Sequence, residues 1–117
     1  MTWPSHHAMV DALKKPGTDI LRSLTPEKVD LWHAVTGIVT EAGELMDAVK
    51  KHIIYNKELD IANVVEELGD LEFYMEQLRQ NCQIIRSVVL ALNMQKLAQR
   101  YDGHYSDGAA RARVDKK

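Results

Sequence analysis

Residues 25–54 read TPEKVDLWHAVTGIVTEAGELMDAVKKHII, and the fold is decided by how this run is punctuated. Thr25 is a good N-cap, Pro26 suits the first helical position where its missing N–H costs nothing, and Glu27 complements the positive end of the helix dipole. Apolar residues then recur in steps of three and four at Leu31, Val35, Ile38, Ala42, Leu45 and Val49, a stripe along one face of a helix that should run to His52 or Ile54. A second helix is expected after Asp60 as N-cap, reaching about Gln80, with Ile61, Val64, Leu68, Leu71, Met75 and Leu78 as its stripe. A third, from about Ile84 to Tyr101, is rich in β-branched residues, yet Leu90, Met94, Leu97 and Tyr101 keep a helical period where a strand would alternate. Upstream, Ser5 to Lys15 suits a short helix ending at Pro16-Gly17, and the tail from Asp102 reads as a loop with one helical turn near Ala109. The organisation is therefore an N-terminal segment (1–24), a helical domain (25–113) and a charged tail (114–117). The fold class is all-α, and the expected architecture is a compact antiparallel helical bundle.

Composition narrows the function. The 117 residues carry 15 Lys+Arg against 17 Asp+Glu, a formal net charge of −2, without the basic excess that binding to nucleic acid polymers or anionic membranes needs. No apolar run approaches the ~20 residues required to cross a bilayer. The single Cys82 has no partner within the chain, and with no apolar signal core near the start the reading is a protein of the reducing cytoplasm. Three long amphipathic helices in so short a chain leave apolar surface for self-association to cover.

Acidic residues fall at i, i+3 in Glu27/Asp30, Glu41/Glu44, Glu44/Asp47 and Glu67/Asp70, where composition alone gives about two such pairs. Placement distinguishes two of them. Glu41/Glu44 and Glu67/Asp70 lie beside the apolar stripes, near Gly37, Gly43 and Gly69, and are symmetric about the Tyr55-Asn56 turn. A helical hairpin would bring four carboxylates together, and four like charges at close range raise one another's pKa unless a divalent cation neutralises them. An oxygen-only donor set suits Mg²⁺ or Mn²⁺. The competing reading is that these are solvated helix faces. A di-iron bundle would need Glu-x-x-His on two helices, and only Asp30-Leu-Trp-His33 comes near.

Gly37-Ile-Val-Thr-Glu41-Ala-Gly-Glu44-Leu, followed by Glu66-Glu67-Leu-Gly-Asp70-Leu, resembles the ExxE…ExxD signature of the MazG-like all-α nucleoside triphosphate pyrophosphohydrolases. Further blocks resemble the small single-domain members of that family: Leu31-Trp-His33, Asp47-Ala-Val-Lys50-Lys51, Phe73-Tyr74, and Asn93-Met-Gln-Lys96-Leu-Ala-Gln-Arg100-Tyr101. The resemblance implies hydrolysis of a nucleoside triphosphate between the α and β phosphates, giving the monophosphate and pyrophosphate. Glu41, Glu44, Glu67 and Asp70 would hold Mg²⁺. Asn93, Lys96 and Arg100, on one face of the third helix, would meet phosphate oxygens, with Tyr101, His33 and Lys51 as further substrate contacts. Where some relatives carry a glutamate just before the ExxE pair, this chain has Thr40, which leaves Glu41 as candidate base or activation to the metals alone. Trp32, His33 and Tyr74 are candidates to stack on a base, with packing in the core as the alternative. His104 and Tyr105, where relatives often have proline and phenylalanine, receive no role. The resemblance also implies a homo-oligomer, with a tetramer built from dimers favoured; Ile53, Ile54 and Tyr55 at the hairpin end are expected in its contacts, and Tyr55, Asn56 and Asn63 near a neighbouring subunit's site. The reading from a different class is a helical oligomerisation or interaction module without catalysis.

Overall fold

A computed structural model describes residues 2–101 and 103–113. Those residues form α1 (His6–Leu13), α2 (Gly17–Ser23), α3 (Pro26–Ile54), α4 (Ile61–Asn81), α5 (Arg86–Arg100) and α6 (Asp107–Ala112), and no strand occurs among them. The expected tail 114–117 lies outside the described residues, as does Asp102. Side-chain caps start four of the helices: Ser5 accepts from the Ala8 N–H at 3.1 Å, Thr25 from Lys28 at 3.2 Å, Asp60 from Asn63 at 3.0 Å and Ser106 from Ala109 at 3.1 Å. Each satisfies an N–H that the first helical turn leaves unpaired. The N-terminal segment holds two short helices where one was expected. Pro16 ends nothing for long, because its fixed φ of −62° lets α2 begin at the next residue, and an Asp19–Arg22 ion pair at 2.8 Å lies within that helix.

Among the described residues the α3–α4 hairpin is the one extensively packed pair of elements. Between them, Asn56 takes a left-handed φ of 54°, and the His52 Nδ1–H donates to the Lys57 carbonyl at 2.6 Å. On α3 the positions screened from solvent are Leu31, Ala34, Gly37, Ile38, Glu41, Leu45, Ala48 and His52; on α4 they include Val64, Glu67, Leu71, Tyr74, Met75 and Leu78. This seam is turned from the expected stripe, for Val35, Ala42, Val49, Ile61 and Leu68 are exposed. The cause is size. Ala34 and Ala48 are buried, and Gly37 receives the Tyr74 ring directly against its backbone, so the small residues set the closest approach and the larger branched ones flank it. Gly43 and Gly69, the glycines next to the carboxylates in sequence, have open space around them; Gly37 is the glycine that packing requires.

The expectation of a compact bundle is not met. The radius of gyration is 20.4 Å against about 13 Å for a compact chain of this length, and the accessible surface is 9707 Å² against about 6,500 Å² for a monomer of this mass. The reason lies after α4. Gln83 adopts φ 57°, the Ile84 N–H donates to the Arg79 carbonyl at 2.8 Å, and α5 packs against α6 rather than back along the hairpin. The Arg79 side chain, 13% exposed, holds Glu76 at 2.8 Å and reaches Glu72 at 3.8 Å, while Arg86 at the start of α5 reaches the same Glu72 at 3.8 Å. This clasp spans the turn and fixes where α5 departs. Among the described residues no helix is long and apolar enough to cross a membrane.

Because Tyr74 occupies the space a Cβ would take, Gly37→Ala should cost about 1–3 kcal/mol from overpacking, offset in part by about 1 kcal/mol of helix propensity. Gly43→Ala, into open space, should stabilise by about 0.5–1 kcal/mol. Denaturant midpoints test the pair, and equal gains at both positions would refute the tight contact.

Candidate metal centre

Half-way along the seam the apolar contacts give way to carboxylates. Glu41 of α3 faces Glu67 of α4, and Asp70 stands one turn further along α4; one carboxylate oxygen from each lies within 4.8 Å of the others. Glu67 is only 9% exposed, and its Oε2 is buried without a hydrogen-bond partner. Hydrogen bonding with Glu41, loss of solvent, and the charges of Glu41, Asp70 and Glu44 together push the Glu67 carboxyl up to about 7. Glu44 is exposed one turn beyond Glu41 and acts on the cluster through that charge. A buried carboxylate oxygen with nothing to accept from is an expensive arrangement, and a hard divalent cation is one of few species that would satisfy it along with Glu41 and Asp70. The residues present thus fit Mg²⁺ or Mn²⁺; among the described residues no His or Cys joins the cluster to favour zinc.

The other candidate residues divide into two groups. His33 lies on the hairpin, its ring edge-on to Tyr74 at 5.9 Å between centroids. Tyr74 is also T-stacked on Phe73 at 5.2 Å and pressed against Gly37, so of the two readings for this ring the packing one matches its surroundings. Trp32 is exposed. Lys51 is tied to Asp47 at 3.0 Å, a hydrogen bond that, with the charges of Asp47, Glu44 and Asp60, raises its pKa. Thr40 gives its hydroxyl to the Thr36 carbonyl at 2.9 Å, a helical back-bond that turns it away from proton transfer. Asn93, Lys96 and Arg100 stand on α5 and Tyr101 at its C-cap, on an element that packs with α6 and not along the carboxylate-bearing helices.

Tyr101 and Tyr105 approach with ring centroids 5.4 Å apart, and with Leu97, Ala98, Gly103 and His104 they line an open cleft of about 410 Å³. Tyr105 donates to Asp107 at 2.6 Å. Sequence reading gave neither this aromatic contact nor Arg79 any part. The visible signal for Arg79 was its spacing from Glu72 and Glu76, which resembles any solvated helix pattern. No protein-family model, no curated protein and no solved structure matches the chain.

The raised Glu67 carboxyl has a definite sign in stability. Folded, it holds its proton to about pH 7; unfolded, it titrates near the ordinary glutamate value of 4.5. Between these values the native state binds more protons, so its stability should fall as pH rises from 4.5 through 7 and level off above. Glu67→Gln should flatten that slope and raise the melting temperature at pH 8. A thermal midpoint that instead climbs over this interval in the wild type and is unchanged by the substitution would contradict the buried carboxyl.

Proposed function

We propose that this protein hydrolyses a (deoxy)nucleoside triphosphate between the α and β phosphates, with Mg²⁺ held by Glu41, Glu67 and Asp70 and assisted by Glu44. The observation that carries the reading is the unpartnered, buried Glu67 Oε2 within a three-carboxylate cluster. Bound Mg²⁺ supplies charge neutralisation and Lewis acidity toward phosphate oxygens. The chain's own residues then have distinct tasks. Glu67 would have to be ionised to hold the ion, since a ligating carboxylate gives up its proton. Glu41, with Thr40 committed to the backbone, is the candidate to take the proton of the attacking water. Asn93, Lys96 and Arg100 offer an amide and two cations to the polyphosphate, with Tyr101, His33 and Lys51 as flanking contacts.

Because α5 does not pack along the carboxylate helices, its phosphate-binding face meets the cluster in a homo-oligomer in this proposal, the tetramer being favoured and a dimer the minimum. The exposed, unpaired Cys82 suits the reducing cytoplasm, where such substrates are found. A second reading, a helical oligomerisation module without catalysis, is favoured by the apolar residues left exposed on α3 and α5.

Release of pyrophosphate from a panel of nucleoside triphosphates separates the two. Turnover should require Mg²⁺ or Mn²⁺ and stop in excess chelator, with the monophosphate as co-product; orthophosphate as the first product would contradict the proposal. Glu44→Ala and Asp70→Ala should abolish turnover while leaving the metal-free fold as stable or more so, because each removes like-charge repulsion. Lys96→Ala should lower kcat/KM on the order of 10²-fold, and Lys15→Ala should leave it unchanged.

A further inference from the structure

Gly37 alone among the described glycines has a neighbour pressed against its backbone: three carbons of the Tyr74 ring occupy the space that a Cβ would take. T-shaped contacts with His33 and Phe73, at 5.9 and 5.2 Å between centroids, hold that ring in place. In an antiparallel pair each step forward on α3 is a step back on α4. Four residues forward from Gly37 is Glu41, and four residues back from Tyr74 is Asp70, so both carboxylates stand about one helical turn, roughly 6 Å, along the seam from this contact. Glu67 follows one turn further back on α4. Gly37 is also the buried position of α3 nearest to Glu41, since Ala34 and Ala48 lie about two turns away on either side.

We infer that Gly37 and Tyr74 are positioning residues whose contact sets the size of the cation that Glu41, Glu67 and Asp70 accept, tuning the cluster toward Mg²⁺ and away from the larger Ca²⁺. The inference rests on the metal centre of the proposed function. Glu41 belongs to α3, and Glu67 and Asp70 belong to α4, so the distance between the helices is carried directly into the distance between donors. Oxygens lie about 2.0–2.1 Å from Mg²⁺ and about 2.3–2.6 Å from Ca²⁺, so a pair on opposite sides of the ion stands roughly 4.1 Å apart in the first case and roughly 4.6–5.2 Å in the second. A change well below the thickness of one methyl group therefore decides which ion fits. Bare backbone against an aromatic ring gives the short spacing, and the distance between packed helices follows the side chains at their contact. The donors cannot easily compensate by re-aiming, because Glu67 is only 9% exposed and its buried Oε2, which accepts no hydrogen bond, moves with α4.

Calorimetric titration of the full chain with MgCl₂ and, separately, with CaCl₂ tests it without reference to turnover. Gly37→Ala should lower the ratio of Mg²⁺ to Ca²⁺ affinity on the order of ten-fold. Tyr74→Phe, which keeps the ring, should retain the wild-type ratio, as should Gly43→Ala, whose methyl enters open space. Should Gly37→Ala fail to fold, Tyr74→Ala decides: with the ring gone nothing fixes the donors at the Mg²⁺ spacing, and the ratio should fall there too. A merely structural role would weaken both ions by the same factor, and an equal loss or an unchanged ratio in the folded variants would overturn the inference while leaving the metal centre standing. A wild-type chain that binds neither ion would overturn both. The expected shift in ratio, found in a chain that releases no pyrophosphate, would uphold the spacing role and refute the proposed reaction.

Discussion

Glu67 against Glu41, held across the α3–α4 seam, is the arrangement around which the rest of the molecule is organised. Ala34, Gly37 and Ala48 let the two helices approach closely, and at that separation the carboxylates midway along must meet. Leu31, Ile38 and Leu45 on one side, with Leu71, Met75 and Leu78 on the other, provide the apolar contact that keeps the helices together. Two ionised carboxylates would push them apart. The compromise is a proton retained to about pH 7 on Glu67, or a cation in its place. A site under such tension is poorly explained as packing, since a Leu or Met at position 67 would fill the seam without an unpartnered oxygen.

Local chemistry in this chain was readable from the sequence, and tertiary placement was not. Thr25 with Pro26, and Asp60, announce helix starts through groups that act on N–H donors a few residues away, so the structure's boundaries for α3 and α4 agree with the reading to within a residue or two at each end. The seam's rotation was hidden because α3 carries apolar residues on more than one stripe. Periodicity finds a hydrophobic face; it does not tell which stripe is the deeper when Ala and Gly lie between Leu and Val. Symmetry of the motifs about the turn sets Glu41 opposite Asp70 and Glu44 opposite Glu67; the structure gathers Glu41, Glu67 and Asp70 and leaves Glu44 exposed outside that cluster. Burial of Glu67 was not legible either, for an acidic residue on an amphipathic helix reads as solvated until its partner helix is placed.

The extended shape shows how a few side chains override composition. Apolar residues make up 45% of the chain, enough for a core, yet the direction taken after α4 is decided by Gln83 in the left-handed region and by Arg79 and Arg86 sharing Glu72. Nothing in hydrophobic patterning encodes that. The same turn separates Asn93, Lys96 and Arg100 from the carboxylates, so residues that motif reading places in one site belong, in a single chain, to two packed units.

The hairpin is two-sided. Since antiparallel packing puts like flanks together, any pair of helices that gathers carboxylates on one side gathers the opposite flanks on the other, and here those are Val35, Ala42, Val49 and Ile53 with Ile61 and Leu68, all exposed. Those apolar flanks therefore add nothing to the contact between the two helices, and the narrow seam alone resists the repulsion of Glu41 and Glu67. Neutralising one of the two carboxyls is what lets so narrow a seam stay closed, which is why the Glu67 carboxyl is pushed up to about 7.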